Sequence, residues 1–338
     1  MKLDSQTFRA WQVTEQVDAT GSRYQGALVM RQVAELPAGE VLVRVAWSSI
    51  NFKDALSASG NKGVTRQYPH TPGIDAAGVV AESDSELFKT GDEVIVIGYD
   101  LGMNTPGGFG EFIRVPANWV VHRPAGLSLH ESMIIGTAGF TAALCVEKLL
   151  LNGLEPSQGP VLVTGASGGV GSFAVALLAQ LGFDVTAMTG SAAAHEFLRE
   201  LGATQIIGRE DFATTSPKPL LKETWAGAVD AVGGDILFNI LKSLKYGSSV
   251  ACCGLVASAQ FQATVFPFIL RGVNLLGVDS VNLPLAHKQR VWNTLAANWK
   301  LKGLQRLQSV IGFQDLDQAL TSVLTGQSRG RLVLDLSL

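Results

Sequence analysis

The stretch VLVTGASGGVG, residues 161–171, constrains the fold more than any other part of the chain. Apolar residues typical of a strand run into a glycine-dense turn, and an alanine-rich apolar segment at 172–181 follows at once. A buried strand, a tight turn and a helix start together form a phosphate site, because the first helical N–H groups have no partner within the helix. Glycine lets the backbone approach a pyrophosphate closely. The pattern predicts a dinucleotide site, or else a glycine-rich turn without a ligand.

The residues that follow favour the dinucleotide site. A second strand pattern at 183–189, a helix pattern at 192–201 and a short strand at 205–207 complete a βαβ arrangement. NAD sites usually have Asp or Glu at the end of the second strand, where this chain has Thr-Gly-Ser at 189–191. Because no carboxylate repels a 2′-phosphate there, NADP is favoured. Arg209 is the nearest cation, and it is either a phosphate contact or a solvated loop charge.

The flanking regions predict two kinds of domain. Short strands with turn signals fill the first third, beginning with an antiparallel pair at 8–17 and 26–36 joined by a turn at 19–21. After residue 132, strands and helices alternate through about 150 residues, which indicates a parallel doubly wound sheet. The predicted elements of this second half are strands at 227–232, 249–255 and 273–278, a helix that starts at 136–144, and helices at 236–244 and 287–300. A final pair of strands should return the chain to the β domain.

The length, net charge and cysteine content of the chain limit its domain organisation and its partners. A chain of 338 residues is too long for one ordinary core, and we expect domains at 1–133, 134–281 and 282–338, the last returning to the first. The net charge of −3 without a basic stretch makes a nucleic-acid partner unexpected, and we expect neither a membrane span nor a secretion signal. The three cysteines, Cys145, Cys252 and Cys253, fit a reducing cytoplasm.

Several motifs resemble a known superfamily. The turn at 161–171, the GTAGFTAA and KTGDEVIV segments and the PGIDAAG loop are similar to zinc-independent medium-chain dehydrogenases/reductases. SSINFKDAL, MIIGTAGFTAALCV, WAGAVDAVGG and PFILRGVNLLGVDS resemble its acrylyl-CoA reductase subgroup, whose members are also described as quinone oxidoreductases. The resemblance implies an α/β protein with a GroES-like, β-rich catalytic domain and a Rossmann domain with a doubly wound parallel sheet.

The zinc-binding members of that superfamily need an early cysteine and a later His-Glu pair. Here residues 49–54 read SINFKD and residues 73–75 read GID, and no cysteine precedes Cys145. A thiolate-ligated catalytic zinc therefore has no ligands in the β domain, and we expect no metal site.

The resemblance also implies site residues. Asn51 and Thr137 would lie near the nicotinamide. Relatives commonly have tyrosine where this chain has Phe52, and some have arginine where it has Ser191, which would weaken the grip on the 2′-phosphate. The implied contacts with NADP(H) are Phe52, Thr137, Ser167, Gly168, Gly169, Val170, Thr189, Gly190, Ser191, Arg209, Leu255, Ile269 and Ser280.

The implied reaction is hydride transfer to the β-carbon of a short α,β-unsaturated acyl-CoA, acryloyl-CoA to propanoyl-CoA, with negative charge developing on the thioester oxygen. The candidate catalytic residues are Asn51, Phe52 and Asp54. Lys53 and Asp54 together also fit an ion pair at a helix N-terminus, which is the interpretation we favour for them. Phe52 cannot donate a proton, so we expect solvent to protonate the α-carbon.

A CoA thioester should meet cations, and Lys62, Arg66, Arg329 and Arg331 are candidates, although scattered surface charge explains each alone. We interpret His70, His122, His195 and Tyr99 as structural. An NADPH:quinone oxidoreductase with the same fold is the alternative, and a cofactor-binding protein without turnover is a second. The strand at 273–278 is apolar on both faces and lacks a guarding lysine, which predicts a homodimer.

Overall fold

A computed structural model describes residues 3–19, 21–213 and 217–338. The chain forms two compact units. Unit 1 comprises Met1–Thr137, Val281–Lys300 and Leu304–Leu338, and unit 2 comprises Ala138–Ser280 with Leu301–Gly303. The chain passes from unit 1 to unit 2 after Thr137 and returns to unit 1 after Ser280. These positions lie near the expected domain limits at 133 and 281.

The elements are named in chain order. The strands are β1 (Thr7–Asp18), β2 (Gly21–Gln32), β3 (Val41–Ser49), β4 (Asp75–Ser83), β5 (Glu93–Ile97), β6 (Phe112–Val115), β7 (Val120–His122), β8 (Val161–Val163), β9 (Val185–Thr189), β10 (Gln205–Gly208), β11 (Trp225–Asp230), β12 (Leu244–Cys252), β13 (Asn274–Gly277), β14 (Gln308–Ile311) and β15 (Arg331–Asp335). The helices are α1 (Phe52–Ala58), α2 (Leu129–Leu151), α3 (Gly169–Gln180), α4 (His195–Glu200), α5 (Glu210–Ala213), α6 (Gly234–Ser243), α7 (Phe266–Arg271), α8 (Leu285–Ala296) and α9 (Leu316–Leu324).

Unit 2 is built on a parallel sheet. In the described part of the chain its strands follow the order β10-β9-β8-β11-β12-β13, and every neighbouring pair is parallel. Counted from β8, this order is 3-2-1-4-5-6, the doubly wound arrangement of dinucleotide-binding folds. Ligands of such sheets bind outside the carboxyl ends of the strands where the order reverses, which here lies between β8 and β11. The expected Rossmann class is confirmed.

Unit 1 is rich in β structure. Its larger sheet runs β14-β15-β3-β4-β5-β7, with β6 also paired to β3, and the β1–β2 hairpin forms a separate sheet. Its strands bury apolar residues in one core, which includes Val43, Val94, Ile113 and Leu334. Because β14 and β15 belong to this sheet, the chain does return to the first unit at its end, as the sequence predicts.

The helix α2 is long and apolar, and by length and composition alone it could cross a membrane. Of its most apolar 18-residue window, 72% is buried within the protein, which is how the core helix of a folded domain behaves. Gly136 interrupts the helix with φ 49° and ψ −162°. The helix thus begins seven residues before the predicted start at 136, and the glycine that suggested a start marks a break instead.

Most expected elements are present with shifted ends. The predicted strand at 227–232 is β11, which ends at Asp230 because its carboxylate accepts hydrogen bonds from the N–H groups of Val232 and Gly233. The predicted strand at 249–255 is β12, which begins five residues earlier. The hairpin of β1 and β2 agrees with the predicted antiparallel pair, and Thr20 of its predicted turn lies outside the described residues.

Candidate functional site

The glycine turn of unit 2 lies between β8 and α3. Gly165 has φ 56°, a conformation that favours glycine, and a Cβ on Gly171 would overlap the backbone of Gly165 and Ala166. Gly168 differs, because it is extended (φ −81°, ψ −179°) and a Cβ there would meet only the carbonyl oxygen of Gly165, at 3.4 Å. Gly171 therefore closes the turn against the helix, whereas Gly168 leaves open space at the N-terminus of α3. That open space suits the phosphates of a dinucleotide.

Side chains from the end of β9 assemble beside this turn. The hydroxyls of Ser167 and Thr189 are 3.1 Å apart, and the N–H of Ser191 donates to Thr189 Oγ1 at 3.1 Å. A Cβ on Gly190 would lie 3.0 Å from Nη2 of Arg209, so the guanidinium packs directly over the glycine backbone. The structure thus brings these five predicted residues together. The position of Arg209 favours the phosphate-contact interpretation over a free loop charge.

Two residues that the sequence interpretation missed fix the neighbouring loop. Thr164 donates through Oγ1 to Asp230 Oδ1 at 2.7 Å, and the other carboxylate oxygen accepts the N–H of Gly233 at 2.9 Å. Burial raises the pKa of Asp230. This bridge ties the carboxyl end of β8 to that of β11, next to the point where the strand order reverses. An acid at the end of an otherwise apolar strand, WAGAVD, was the available signal.

The remaining predicted cofactor contacts of unit 2 are dispersed. Gly169 and Val170 form the first turn of α3. Leu255 follows β12 with 58% of its surface exposed, and its Cα lies close to Gly233. Ile269 on α7 is 68% exposed, whereas Ser280 is buried and accepts a hydrogen bond from Thr141 at 2.8 Å.

In unit 1, the buried carboxylate of Asp75 forms the centre of a polar network. Its Oδ2 accepts from Ser49 Oγ at 2.6 Å, Asn51 Nδ2 at 2.9 Å and the N–H of Thr137 at 2.9 Å, while Oδ1 accepts the hydroxyl of Thr137 at 2.5 Å. The break at Gly136 makes this possible, because a Cβ there would overlap Asp75 and Ser49. The network fixes two of the predicted site residues, Asn51 and Thr137.

Arg331 completes this network, and its expected role as an exposed contact for CoA is wrong. Its side chain is only 2% exposed. The guanidinium lies 3.5 Å from Asp75 Oδ2 and donates to Ser49 Oγ at 2.7 Å and to Asn51 Oδ1 at 3.2 Å. Further bonds go to the carbonyls of Ile134 and Ile50. Burial lowers the pKa of Arg331, and Asp75 acts in the opposite direction.

Asn51 is oriented from both ends of its amide. Oδ1 accepts from Arg331, and the two N–H groups of Nδ2 point to Asp75 Oδ2 at 2.9 Å and to the carbonyl of Ser49 at 3.3 Å. Asn51 also precedes α1 as its N-cap. Its donors are therefore committed inside unit 1.

Asp54 is fully buried, and the expected ion pair with Lys53 is wrong. One carboxylate oxygen accepts the N–H of Asn51 at 2.7 Å, and the other accepts those of Gly73 and Ile74 at 3.2 and 2.8 Å. Burial, followed by the nearby charge of Asp75, raises the pKa of Asp54 to about 7. Asp54 therefore holds the loop before β4 against α1. Phe52 is half-buried as the first residue of that helix.

Most of the remaining candidate residues contact other groups of unit 1. Lys62 pairs with Glu15 at 2.7 Å, and Arg66 is exposed. His70 bonds to the carbonyl of Gly102 at 3.0 Å, and burial lowers its pKa. Tyr99 stacks on Trp119 with ring centroids 5.5 Å apart. Within the described residues, no group of three or more His, Cys, Asp or Glu side chains is arranged to hold a metal ion.

Comparison with known proteins matches both halves of the chain. Residues 37–125 match the family model "Alcohol dehydrogenase GroES-like domain", and residues 169–298 match "Zinc-binding dehydrogenase". Acrylyl-CoA reductase AcuI of Ruegeria pomeroyi is 45% identical over 320 residues, which cover 95% of this chain and 97% of that protein. YhfP of Bacillus subtilis, which bears the name of a quinone oxidoreductase, is 45% identical over 89% of this chain and 92% of its own.

Comparison with solved structures gives the same result as comparison with sequences. The yhdH oxidoreductase from Salmonella enterica, crystallised with NADP, superposes with a TM-score of 0.93 at 42% identity, over 97% of this chain and 99% of that one. The Bacillus subtilis protein yhfP with NAD bound also has a TM-score of 0.93 at 42% identity, over 98% and 100% of the two chains. The similarity therefore extends over both compact units.

Proposed function

Because the chain belongs to the medium-chain dehydrogenase/reductase superfamily, in its acrylyl-CoA reductase and quinone oxidoreductase subgroup, we propose that it is an NADPH-dependent reductase of short α,β-unsaturated acyl-CoA thioesters, converting acryloyl-CoA to propanoyl-CoA. The observation that carries this proposal is the glycine turn with Arg209 packed over Gly190, in a chain 45% identical to an acrylyl-CoA reductase. The reaction is oxidoreduction at a carbon–carbon bond.

The residues of unit 2 fit NADP(H). The open space beside Gly168 receives the pyrophosphate on the backbone N–H groups at the start of α3, and Arg209 with Ser191 binds the 2′-phosphate. When bound, NADPH supplies the hydride. No carboxylate stands at the end of β9 to repel the 2′-phosphate, since the chain reads Thr189-Gly190-Ser191 there.

Replacing Arg209 with Leu should weaken NADPH binding by about 10- to 100-fold, because a hydrogen bond to a charged group contributes about 1.5–3 kcal/mol. The affinity for NADH should change little, since NADH lacks the phosphate. Titration of both coenzymes by fluorescence tests this, with Arg199→Leu on the exposed face of α4 as the matched control. An equal loss for both coenzymes would contradict the assignment.

In unit 1, the network around Asp75 orients groups toward the reaction. Asn51 and Thr137, the two residues of unit 1 proposed to lie near the nicotinamide, are both held in place by the carboxylate of Asp75. Phe52 stands where relatives commonly have tyrosine and supplies no proton. Water therefore protonates the α-carbon of the substrate after hydride transfer.

A substrate panel tests the proposed function. Purified protein is given NADPH or NADH with acryloyl-CoA, crotonoyl-CoA and a simple benzoquinone, and coenzyme oxidation is followed. We expect kcat/KM for acryloyl-CoA with NADPH to exceed that for the quinone by about 100-fold, the ratio that several specific contacts provide. In deuterated water, one solvent deuterium should enter the α-position of propanoyl-CoA.

The quinone alternative rests on the relative YhfP, and a higher rate with benzoquinone than with any enoyl-CoA would favour it. NADPH binding without turnover of enoyl-CoA, enone or quinone would instead favour a cofactor-binding protein of another function. The three cysteines are free thiols, which supports the proposal of a cytoplasmic protein.

We also propose a homodimer that forms through the edge of the unit 2 sheet. β13 ends the strand order, and its Leu275 is 38% exposed. Apolar residues of the neighbouring segments are exposed as well: Leu255, Val256, Val265, Phe266, Ile269 and Leu270. An unguarded apolar edge invites pairing with a second copy across a two-fold axis.

Sedimentation at micromolar concentration should therefore give twice the chain mass of 35.7 kDa. Leu275→Lys should shift the species to the monomer, because it introduces a charge at the paired edge. Leu151→Lys, at a more exposed apolar position on α2, is the control that should remain dimeric. A monomeric wild-type protein would refute the proposal.

A further inference from the structure

Lys53 carries an ammonium group without an anionic partner. It is half-buried in the first turn of α1, between Phe52 and Asp54. Its Nζ lies 3.8 Å from the thioether sulfur of Met103, and among the described residues no carboxylate lies within ion-pair distance of it. A thioether is a weak acceptor, so the three N–H donors of this lysine are poorly satisfied.

Other lysines of unit 1 that lose water are compensated. Lys288 is buried and donates to the carbonyls of Ile97 at 2.8 Å and Val281 at 3.1 Å. Lys300, which is half-buried, pairs with Glu131 at 3.0 Å. Partial burial of an unpaired ammonium costs free energy, because the charge loses solvation without a compensating partner. Lys53 thus keeps an unmatched positive charge on the first turn of α1, the helix that Asn51 caps.

The other donors in this neighbourhood are already committed. Both N–H groups of Asn51 are used within unit 1, and the hydroxyls of Ser49 and Thr137 donate to Asp75 at 2.6 and 2.5 Å. Phe52 has no donor. None of these groups can stabilise a new oxyanion without breaking a buried hydrogen bond, whereas Lys53 can do so at no such cost.

We propose that the ammonium group of Lys53 binds the thioester carbonyl oxygen of the acyl-CoA substrate and stabilises the negative charge that develops on it during hydride transfer. This inference rests on the proposed function. The hydride of NADPH forms the new bond to the β-carbon, and the π pair of the carbon–carbon double bond moves toward the thioester oxygen as an enolate. NADPH is oxidised, the acyl group is reduced, and a proton from water ends on the α-carbon.

The first test is Lys53→Met, which keeps the length and apolar stem of the side chain. We expect kcat with acryloyl-CoA to fall by about 100-fold, the loss found when one oxyanion donor is removed. KM should change by less than about threefold, because the interaction strengthens in the transition state. The isotope effect with NADPH deuterated at the transferred position should rise as hydride transfer becomes limiting. Lys53→Arg should recover most of the activity, and Lys89→Met, at an exposed turn, should behave as wild type.

The second test introduces a partner without removing the lysine. Met103→Glu puts a carboxylate where the sulfur now lies beside Nζ, and it should lower kcat as Lys53→Met does. Met103→Gln has the same shape without the charge and should retain activity. Thermal unfolding of each variant should match wild type, which separates a loss of chemistry from a loss of fold.

Two results would overturn the inference. One is an unchanged kcat in Lys53→Met. The other is a loss confined to KM that disappears with acryloyl-pantetheine, because the lysine would then bind a phosphate of CoA. Failure of the proposed function is distinguishable, since wild-type protein itself would then reduce no enoyl-CoA.

Discussion

Replacing Arg331 with Met is expected to lower the free energy of unfolding by about 3–5 kcal/mol, because it leaves the buried charge of Asp75 uncompensated. Both residues are almost fully buried, at 2% and 0% side-chain exposure. The substitution also removes the donors that satisfy Asn51 Oδ1 and Ser49 Oγ. The effect should exceed that of an ordinary surface substitution, which stays within about 0.5 kcal/mol.

Urea unfolding followed by tryptophan fluorescence measures this loss. Trp225 is the one tryptophan of unit 2, and the other five belong to unit 1, so the signal reports mainly on the unit that contains Arg331. Arg306→Met, at an exposed position of the same unit, is the matched control and should unfold as wild type does. A loss of less than about 1 kcal/mol in Arg331→Met would contradict the account, because a broken buried pair costs more than that.

The second large effect is expected from Gly168→Val, which should weaken NADPH binding by about 100-fold or more. The side chain would fill the open space at the start of α3 and exclude the pyrophosphate. Two hydrogen bonds from backbone N–H groups to charged oxygens, each of about 1.5–3 kcal/mol, would be lost. Gly168→Ala should have a smaller effect in the same direction, since the methyl group occupies less of the space.

The fold of these variants should persist. Residue 168 is extended and its Cβ would meet nothing closer than 3.4 Å, so valine should cost about 1 kcal/mol or less, the scale of a lost N-cap preference. Gly171→Val is the contrast, because its Cβ would overlap the backbone of Gly165 and should disrupt the turn itself. Equal NADPH affinity in wild type and Gly168→Val would show that the phosphates bind elsewhere.

The nucleotide half of the molecule could be predicted from sequence because its signal is local. A strand, a glycine turn and a helix within twenty residues determine the geometry of residues 161–180, and the absence of an acid at 189–191 needs no distant partner to interpret. For Arg209, about twenty residues beyond β9, the sequence left two interpretations open, a phosphate contact or a solvated loop charge. Its contact with Gly190 depends on how β10 pairs with β9, which periodicity alone does not reveal.

The network of unit 1 could not be predicted in the same way. Asp75 and Arg331 are 256 positions apart, and each begins an apolar strand, a place where a charge usually faces solvent. Their burial follows from the register in which β15 pairs with β3 and β3 with β4. The error over Lys53 and Asp54 has the same origin, since neighbours in sequence on a helix do not face each other. The carboxylate of Asp54 accepts hydrogen bonds from backbone N–H groups, and the Nζ of Lys53 lies beside the sulfur of Met103.

The central claim is that the phosphates of a nicotinamide dinucleotide lie on the backbone amides at the start of α3. Calorimetric titration of the purified chain with NADPH and with NADH tests it most directly. We expect one saturable site per chain that is tighter for NADPH and whose affinity falls by about 100-fold or more in Gly168→Val. Absence of binding heat for both coenzymes across a range of temperatures would contradict it.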